Sequence, residues 1–264
     1  MALSLSDLKQ VKSTMPPRIV IYGPPGMGKT SLAAEFPNPV FIQTEDGAPS
    51  DIEIVTFGHV RSYADVVSAM GSLYSEAHDR QTLVVDSLSE LEKLIWAETC
   101  LRNKWKDIEQ PGYGKGYAAT EYVWQEFMEG LNALRRDRGM TVILIGHSET
   151  ARFDDPTSAS YSRYEIDLHK IGKALVDREV DAILLIKQDV TLQKEKQGFN
   201  SERSIAGGAA RFIHCTPAAA YNAKNRYGMP DAILYTKGQG YAAVAPFLPA
   251  PQTPQPVAST AQAA

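Results

Sequence analysis

Arg18-Ile19-Val20-Ile21-Tyr22-Gly23-Pro24-Pro25-Gly26-Met27-Gly28-Lys29-Thr30-Ser31 sets the architecture of this chain. Arg18–Tyr22 is a short, almost wholly apolar run, the pattern of a strand buried on both faces. Gly23–Thr30 then matches G-x-x-x-x-G-K-[ST] in full, and a helical pattern follows to about Phe36. Each residue type in the loop has a physical task. Glycines at 23, 26 and 28 let the backbone curl until successive N–H groups point inward at phosphate oxygens. The helix opening at Lys29 adds the positive end of its dipole. Lys29 is placed to bridge β- and γ-phosphates, and the Thr30 hydroxyl to ligate Mg²⁺. The motif therefore implies ATP and Mg²⁺, with Gly23, Pro24, Pro25, Gly26, Met27, Gly28, Lys29, Thr30 and Ser31 as the nucleotide-contacting set.

Outward from this loop, short apolar strands alternate with helices. Val40–Thr44 reads as a second strand and Ile52–Thr56 as a third; Tyr63–Ala77 is an amphipathic helix. Thr82–Asp86 is another apolar strand, and Ser89–Trp105 a helix. Glycines and a proline make 106–117 a loop. A long helix, Ala118–Arg138, then leads to the strand Thr141–Gly146. Residues 148–168 are polar and aperiodic, Val180–Lys187 is a further strand, and two or three short strands or turns precede Lys237. This alternation predicts a mostly parallel central sheet with helices on both faces, an α/β fold. The expected layout is a short arm at 1–15, one domain at 16–245, and a Pro/Ala/Gln/Thr tail at 246–264 too poor in apolar surface to order itself.

Composition narrows the function classes. The chain of 264 residues is 44% hydrophobic and 22% charged, ordinary for a globular domain. No apolar run reaches the roughly 18 residues needed to span a bilayer, so no membrane partner is expected. Cys100 and Cys215 are too few for a disulfide framework or a zinc site, and the start lacks a secretory layout, which together point to the cytoplasm. Net charge is −4, but residues 187–238 carry eight Lys/Arg against four acids, an excess that suits a phosphate-facing surface or a solvated one.

Three further positions carry candidate chemistry. Asp86 ends a central strand, where a carboxylate can hold the metal with Thr30. Ser87 rather than Glu follows it, so the acid that activates water must come from elsewhere. Glu45, at the end of Val40–Thr44, is the candidate, with Asp46 as the rival.

The combination of Gly23–Thr30, Phe41-Ile42-Gln43-Thr44-Glu45 and Val84-Val85-Asp86-Ser87 resembles the RecA/RadA recombinase core. The chain is more closely similar to small phage-encoded ATPases built on that core and described as nucleotide-binding or single-strand annealing proteins. The P-loop, the stretch through Phe36-Pro37-Asn38-Pro39 to Glu45, and Lys224-Asn225-Arg226-Tyr227-Gly228-Met229-Pro230 carry the similarity. The resemblance implies a RecA-like P-loop fold, ATP hydrolysis, self-association and single-stranded DNA as partner. It places His147, in Leu144–Ser148, at the γ-phosphate sensor, and makes Lys224 and Arg226 fingers reaching a neighbouring subunit's nucleotide. It also implies DNA contact by two loops. One offers Lys104, Trp105, Lys106, Tyr113, Lys115 and Tyr117; the other offers Arg152, Phe153, Tyr161, Arg163 and Tyr164. An AAA+-type remodelling ATPase or helicase loader, a small-molecule kinase and a nucleotide-gated binding module are the competing readings of the same motif.

Overall fold

Residue parity sorts the central strands into two faces. The structure, a computed structural model, describes residues 14–47, 50–154, 159–189, 191–196, 202–207 and 210–252. Strand β1 (Arg18–Gly23) is fully buried and lies between β5 (Thr141–Phe153) and β7 (Ala182–Gln188), parallel to both. On the far side of β5 come β4 (Thr82–Asp86), β2 (Pro39–Gln43) and the edge strand β3 (Thr56–His59), all parallel. Beyond β7 the sheet turns antiparallel through β10 (Arg211–His214) and β12 (Ala232–Tyr235). The mostly parallel sheet expected from the sequence is present.

Even-numbered side chains of β1 and β5 (Val20, Tyr22, Val142, Leu144) pack under α2 (Tyr63–Ser75), α3 (Leu88–Asn103), α4 (Lys115–Arg138) and α5 (Lys170–Glu179). Odd-numbered ones (Ile19, Ile21, Ile143, Ile145) face α1 (Lys29–Ala34) and α6 (Gly240–Val244). Both faces of the sheet are thus dry, which is why its central strands are apolar at every position instead of alternating. Because all strands from β7 to β3 run the same way, their carboxyl ends form one edge, and the phosphate loop that follows β1 opens there.

Four expectations change. The segment 148–168 is not an aperiodic loop: β5 runs on past the sheet to Phe153 and pairs antiparallel with β6 (Tyr161–Ile166). Its two-residue alternation is real but falls among polar residues, with Thr150, Arg152, Ser162 and Tyr164 exposed and their neighbours half-buried. Hydropathy could not reveal it. The third strand lies at Thr56–His59, just after the apolar stretch read from the sequence. The loop 106–117 gives up its last residues to α4, which starts at Lys115 behind a left-handed Gly114. Finally, the part of the tail at 246–252 is held: Ala245–Phe247 form a 3-10 helix, and Gln252 bonds to the Thr14 carbonyl while its own carbonyl accepts from Gln81. It borders a groove of about 950 Å³ that also touches Asp181, Arg226 and Tyr227. Residues 1–13 of the expected arm at 1–15, and the tail beyond 252, lie outside the described residues. A hairpin of β8 (Thr191–Lys196) and β9 (Glu202–Gly207) separates β7 from β10.

Candidate nucleotide site

The phosphate loop is shaped by backbone geometry that other residues resist. Gly23 has φ 155°, and a Cβ there would stand 2.1 Å from the Ile186 carbonyl oxygen. Gly26 and Gly28 take φ of 75° and 96°, in the left-handed half of the map. Lys29 is buried at 7% exposure and folds back on the loop, donating to the Gly23 and Pro24 carbonyls at 2.9 and 3.1 Å. Burial pulls its pKa below the usual lysine value, while Asp86 and Glu45 oppose that shift.

Three neighbouring strand ends complete the site. Thr30 Oγ1 donates to Asp86 Oδ2 at 2.8 Å, which links helix α1 to the end of β4. Desolvation raises the Asp86 pKa, and the Thr30 hydrogen bond works against it. Thr44, which follows β2, ties that strand to β4: its hydroxyl donates to the Ser87 carbonyl and accepts from the Ser87 amide, both at 2.8 Å. The clamp fixes the next residue, Glu45. Its Oε2 accepts from Ser87 Oγ and lies against His147 Nε2, each at 3.0 Å, while Oε1 has no partner among the described residues. His147 is level with Gly23 in the β1–β5 register, so it stands between the phosphate loop and Asp86.

The Glu45–His147 pair shapes both titrations. The His147 hydrogen bond is the main cause holding Glu45 below the ordinary carboxylate value, and Glu45 is the main cause raising His147 above 6.5. A raised histidine contributes stability below its unfolded pKa and loses it as pH climbs through the folded one. A depressed carboxylate contributes above its unfolded pKa and loses that as pH falls through the folded one. The pair is therefore worth most between 4.5 and 6.5. In Glu45→Gln, desolvation and Lys29 act on His147 unopposed by its main partner, so NMR titration of the ring is expected to show its pKa falling toward or below 6.5. An unchanged midpoint would mean that the two side chains are not paired in solution.

Thr30 and Asp86 are the right donors for Mg²⁺, a hard cation that keeps waters and takes one or two protein oxygens beside nucleotide phosphates. Among the described residues no cluster of three His, Cys, Asp or Glu could hold a metal alone, and none is needed for a cation shared with a nucleotide.

Lys29, Thr30, Asp86, Glu45 and His147 thus converge. Lys224 and Arg226 do not join them. They lie in and beside β11 (Lys224–Asn225), which pairs with the first residues of β7 and so sits at the opposite edge of the sheet. Lys224 Nζ donates to the Asp177 and Arg178 carbonyls, and Arg226 pairs with Asp181 at 3.1 Å. Asp46 is exposed beside Glu45, with no partner in the site. Sequence reading missed Arg211, whose guanidinium lies 3.4 Å from the Met27 carbonyl. The only hint was the basic excess of the C-terminal third, since nothing in the sequence shows that β10 returns to the phosphate loop.

A parallel sheet with a phosphate loop after β1, an acid at the end of β4 and one strand between them defines a nucleotide-binding ATPase domain of the P-loop class. The chain belongs to the AAA_24 family, described as an AAA domain, whose model matches residues 15–227. No curated protein sequence matches it. Among solved structures it is similar to the one titled "Crystal structure of the RadB recombinase", at 14% identity and a TM-score of 0.46, over 85% of this chain and 90% of that one. Among the described residues no helix is long and apolar enough to cross a membrane.

Proposed function

We propose that this chain hydrolyses ATP with Mg²⁺ while acting on single-stranded DNA, in the kind of strand annealing or recombination that the phage ATPases carry out. The observation that carries the hydrolytic part is Glu45, a carboxylate fixed through Oε2 with Oε1 left to accept a proton. It lies across from Lys29 and beside Asp86, where an attacking water and a terminal phosphate would meet. Lys29 supplies positive charge for a phosphate; Thr30 and Asp86 would hold the metal, which would offset charge on the phosphate oxygens. Ser87 and His147 keep Glu45 in place, and His147, touching Glu45 and level with Gly23, is the group that can register the γ-phosphate.

For DNA, the favourable feature is the β5–β6 ribbon, which continues from the same edge with Tyr164 exposed and Arg152 in a solvent-exposed pair with Asp154 at 2.9 Å. Exposed cations and aromatics suit a single strand. Other predicted contacts are committed inside the fold: Arg163 pairs with Glu165 and covers the Phe153 ring, and Tyr117 stacks on His169. Tyr113, fully exposed, and Lys104 remain available in the first loop. Lys224 and Arg226 face away from their own phosphate loop, as a contact in trans requires, so a head-to-tail assembly could bring this edge to a second copy's nucleotide. The remodelling-ATPase reading is the less supported one, because β7 is followed by strands and the five-residue α6, and no helical lid occurs among the described residues.

The test is the steady-state ATPase rate with and without single-stranded DNA, with Lys29→Ala as control. A rate raised by DNA and abolished in the control is expected. A rate indifferent to DNA, together with no retention of DNA in ATP and Mg²⁺, would overturn the DNA reading.

A further inference from the structure

Strand β10 brings a cation to the phosphate loop that no part of the motif accounts for. Arg211 opens β10, opposite Gln188 at the end of β7 and Tyr235 at the end of β12. Gln188 lies three residues beyond Leu185, which is level with Tyr22, so Arg211 stands at the same edge as the phosphate loop. Its Nη1 approaches the Met27 carbonyl at 3.4 Å, long for a charged donor. A Cβ on Gly28 would be 3.5 Å from the same nitrogen and 3.1 Å from the Tyr235 ring. The guanidinium is half-buried and has no carboxylate partner among the described residues. Glu35, which like Arg211 acts on Tyr235, is already used: its two oxygens accept from the Gly238 and Tyr241 amides at 2.7 and 3.0 Å. Tyr235, buried, fills the space between and reaches the Gly28 carbonyl at 3.4 Å.

A guanidinium carries five donors, and a half-buried one that satisfies a single weak contact is an arrangement suited to an incoming anion. The other charges at the site point the same way. Lys29 is the one lysine in it among the described residues, its ammonium already turned onto loop carbonyls, and Asp86 and Glu45 add negative charge that a triphosphate would worsen. We propose that Arg211 is a phosphate-contacting cation of the chain's own nucleotide site, leaving the Met27 carbonyl for the phosphate chain when nucleotide binds. This rests on the nucleotide-binding reading of Gly23–Thr30 and adds a group in cis, distinct from any contact from a second copy.

Binding of a non-hydrolysable ATP analogue, of ADP and of inorganic tripolyphosphate, each with Mg²⁺, tests it by calorimetry on the full chain, Arg211→Ala, Arg211→Lys and Lys29→Ala. The melting temperature of each protein without ligand is measured alongside. Arg211→Ala is expected to weaken the analogue and tripolyphosphate alike by about tenfold, or ~1.4 kcal/mol, with the ligand-free melting temperature nearly unchanged and Arg211→Lys recovering part of the loss. A loss shared by ADP puts the guanidinium on the α- or β-phosphate, and one absent with ADP puts it on the γ-phosphate. Binding within twofold of the parent overturns the proposal. So does a loss seen with the analogue but not with tripolyphosphate, or one accompanied by a drop in the ligand-free melting temperature, which would make Arg211 a strut for Met27. A parent chain that binds none of the three, like Lys29→Ala, would instead overturn the nucleotide reading, and the proposal with it.

Discussion

Glu45→Gln is expected to lower kcat for ATP hydrolysis by about 10²–10⁴-fold, the range a positioned general base contributes, while ATP affinity changes little. The substitution is well suited to the question. Gln keeps an oxygen that can accept from Ser87 Oγ, so the clamp built by Thr44 and Ser87 survives, and what is lost is the proton-accepting charge. Binding should be spared because the phosphate loop, Lys29 and Thr30 are untouched. Single-turnover hydrolysis with affinity measured separately is the right readout, since it separates chemistry from product release. If turnover survives in Glu45→Gln but collapses in Asp46→Asn, the base is Asp46, moved inward from its exposed position. If neither matters, the chain is a nucleotide-gated binding module and Glu45 only orients His147. A drop in affinity comparable to the drop in kcat would mean that Glu45 holds the site together and does not act in the transition state.

The parts of this site legible in the sequence are those fixed by local chain geometry. A strand must precede the phosphate loop and a helix must follow it, so Gly23–Thr30 fixed both elements together with the places of Lys29 and Thr30. Asp86 and Glu45 were legible because each ends an apolar strand, and in a parallel sheet all such ends share an edge. That reasoning fails where a strand's direction is not known beforehand. Lys224 and Arg226 come after β10, which runs antiparallel, and they return to the far edge; Arg211 comes at the start of the same strand and reaches the near one. Twelve residues separate Arg211 from Lys224, and the sign of their charges says nothing about which edge each occupies. The β5–β6 ribbon was hidden for a different reason. Its less exposed face carries Glu149, Arg163 and Glu165 beside Ala151 and the Phe153–Tyr161 ring pair, with Lys173 between the two carboxylates at 2.9 and 2.7 Å. A strand pair held largely by ions, with apolar contact only at its tip, has too short a hydrophobic period to detect.

Asp181→Ala is expected to destabilise the fold by about 3–5 kcal/mol, the cost of leaving buried charge uncompensated. Asp181 precedes β7 and is 5% exposed, at the edge opposite the phosphate loop. It accepts from the Arg18 amide at 3.0 Å and from two guanidinium nitrogens of Arg18 at 3.3 and 3.2 Å. Arg135 of α4 approaches it at 3.3 Å, and Arg226 at 3.1 Å. One carboxylate thus joins β1, α4, β7 and the segment after β11. Of the three arginines, Arg18 and Arg135 are themselves largely buried, so removing the acid leaves two cations facing each other out of water, with Glu179 the remaining acid on Arg18 among the described residues. Asp181→Asn, which keeps the acceptor oxygen but not the charge, should cost less than Ala and more than an exposed substitution. The pH dependence gives an independent check. Burial raises the Asp181 pKa but the arginines win, so it lies below 3.8 in the folded chain. A depressed carboxylate stabilises above its unfolded pKa and loses that contribution as pH falls through the folded one. The stability gap between parent and Asp181→Ala, from urea melts, should therefore be full at neutral pH and shrink below 3.8. A gap that stays constant into acid would show that Asp181 acts by shape and not by charge. Because Arg226 is one of its partners, the same variant frees that side chain. A loss of DNA-stimulated turnover in Asp181→Ala, at a temperature where it remains folded, would then connect this network to the proposed contact in trans.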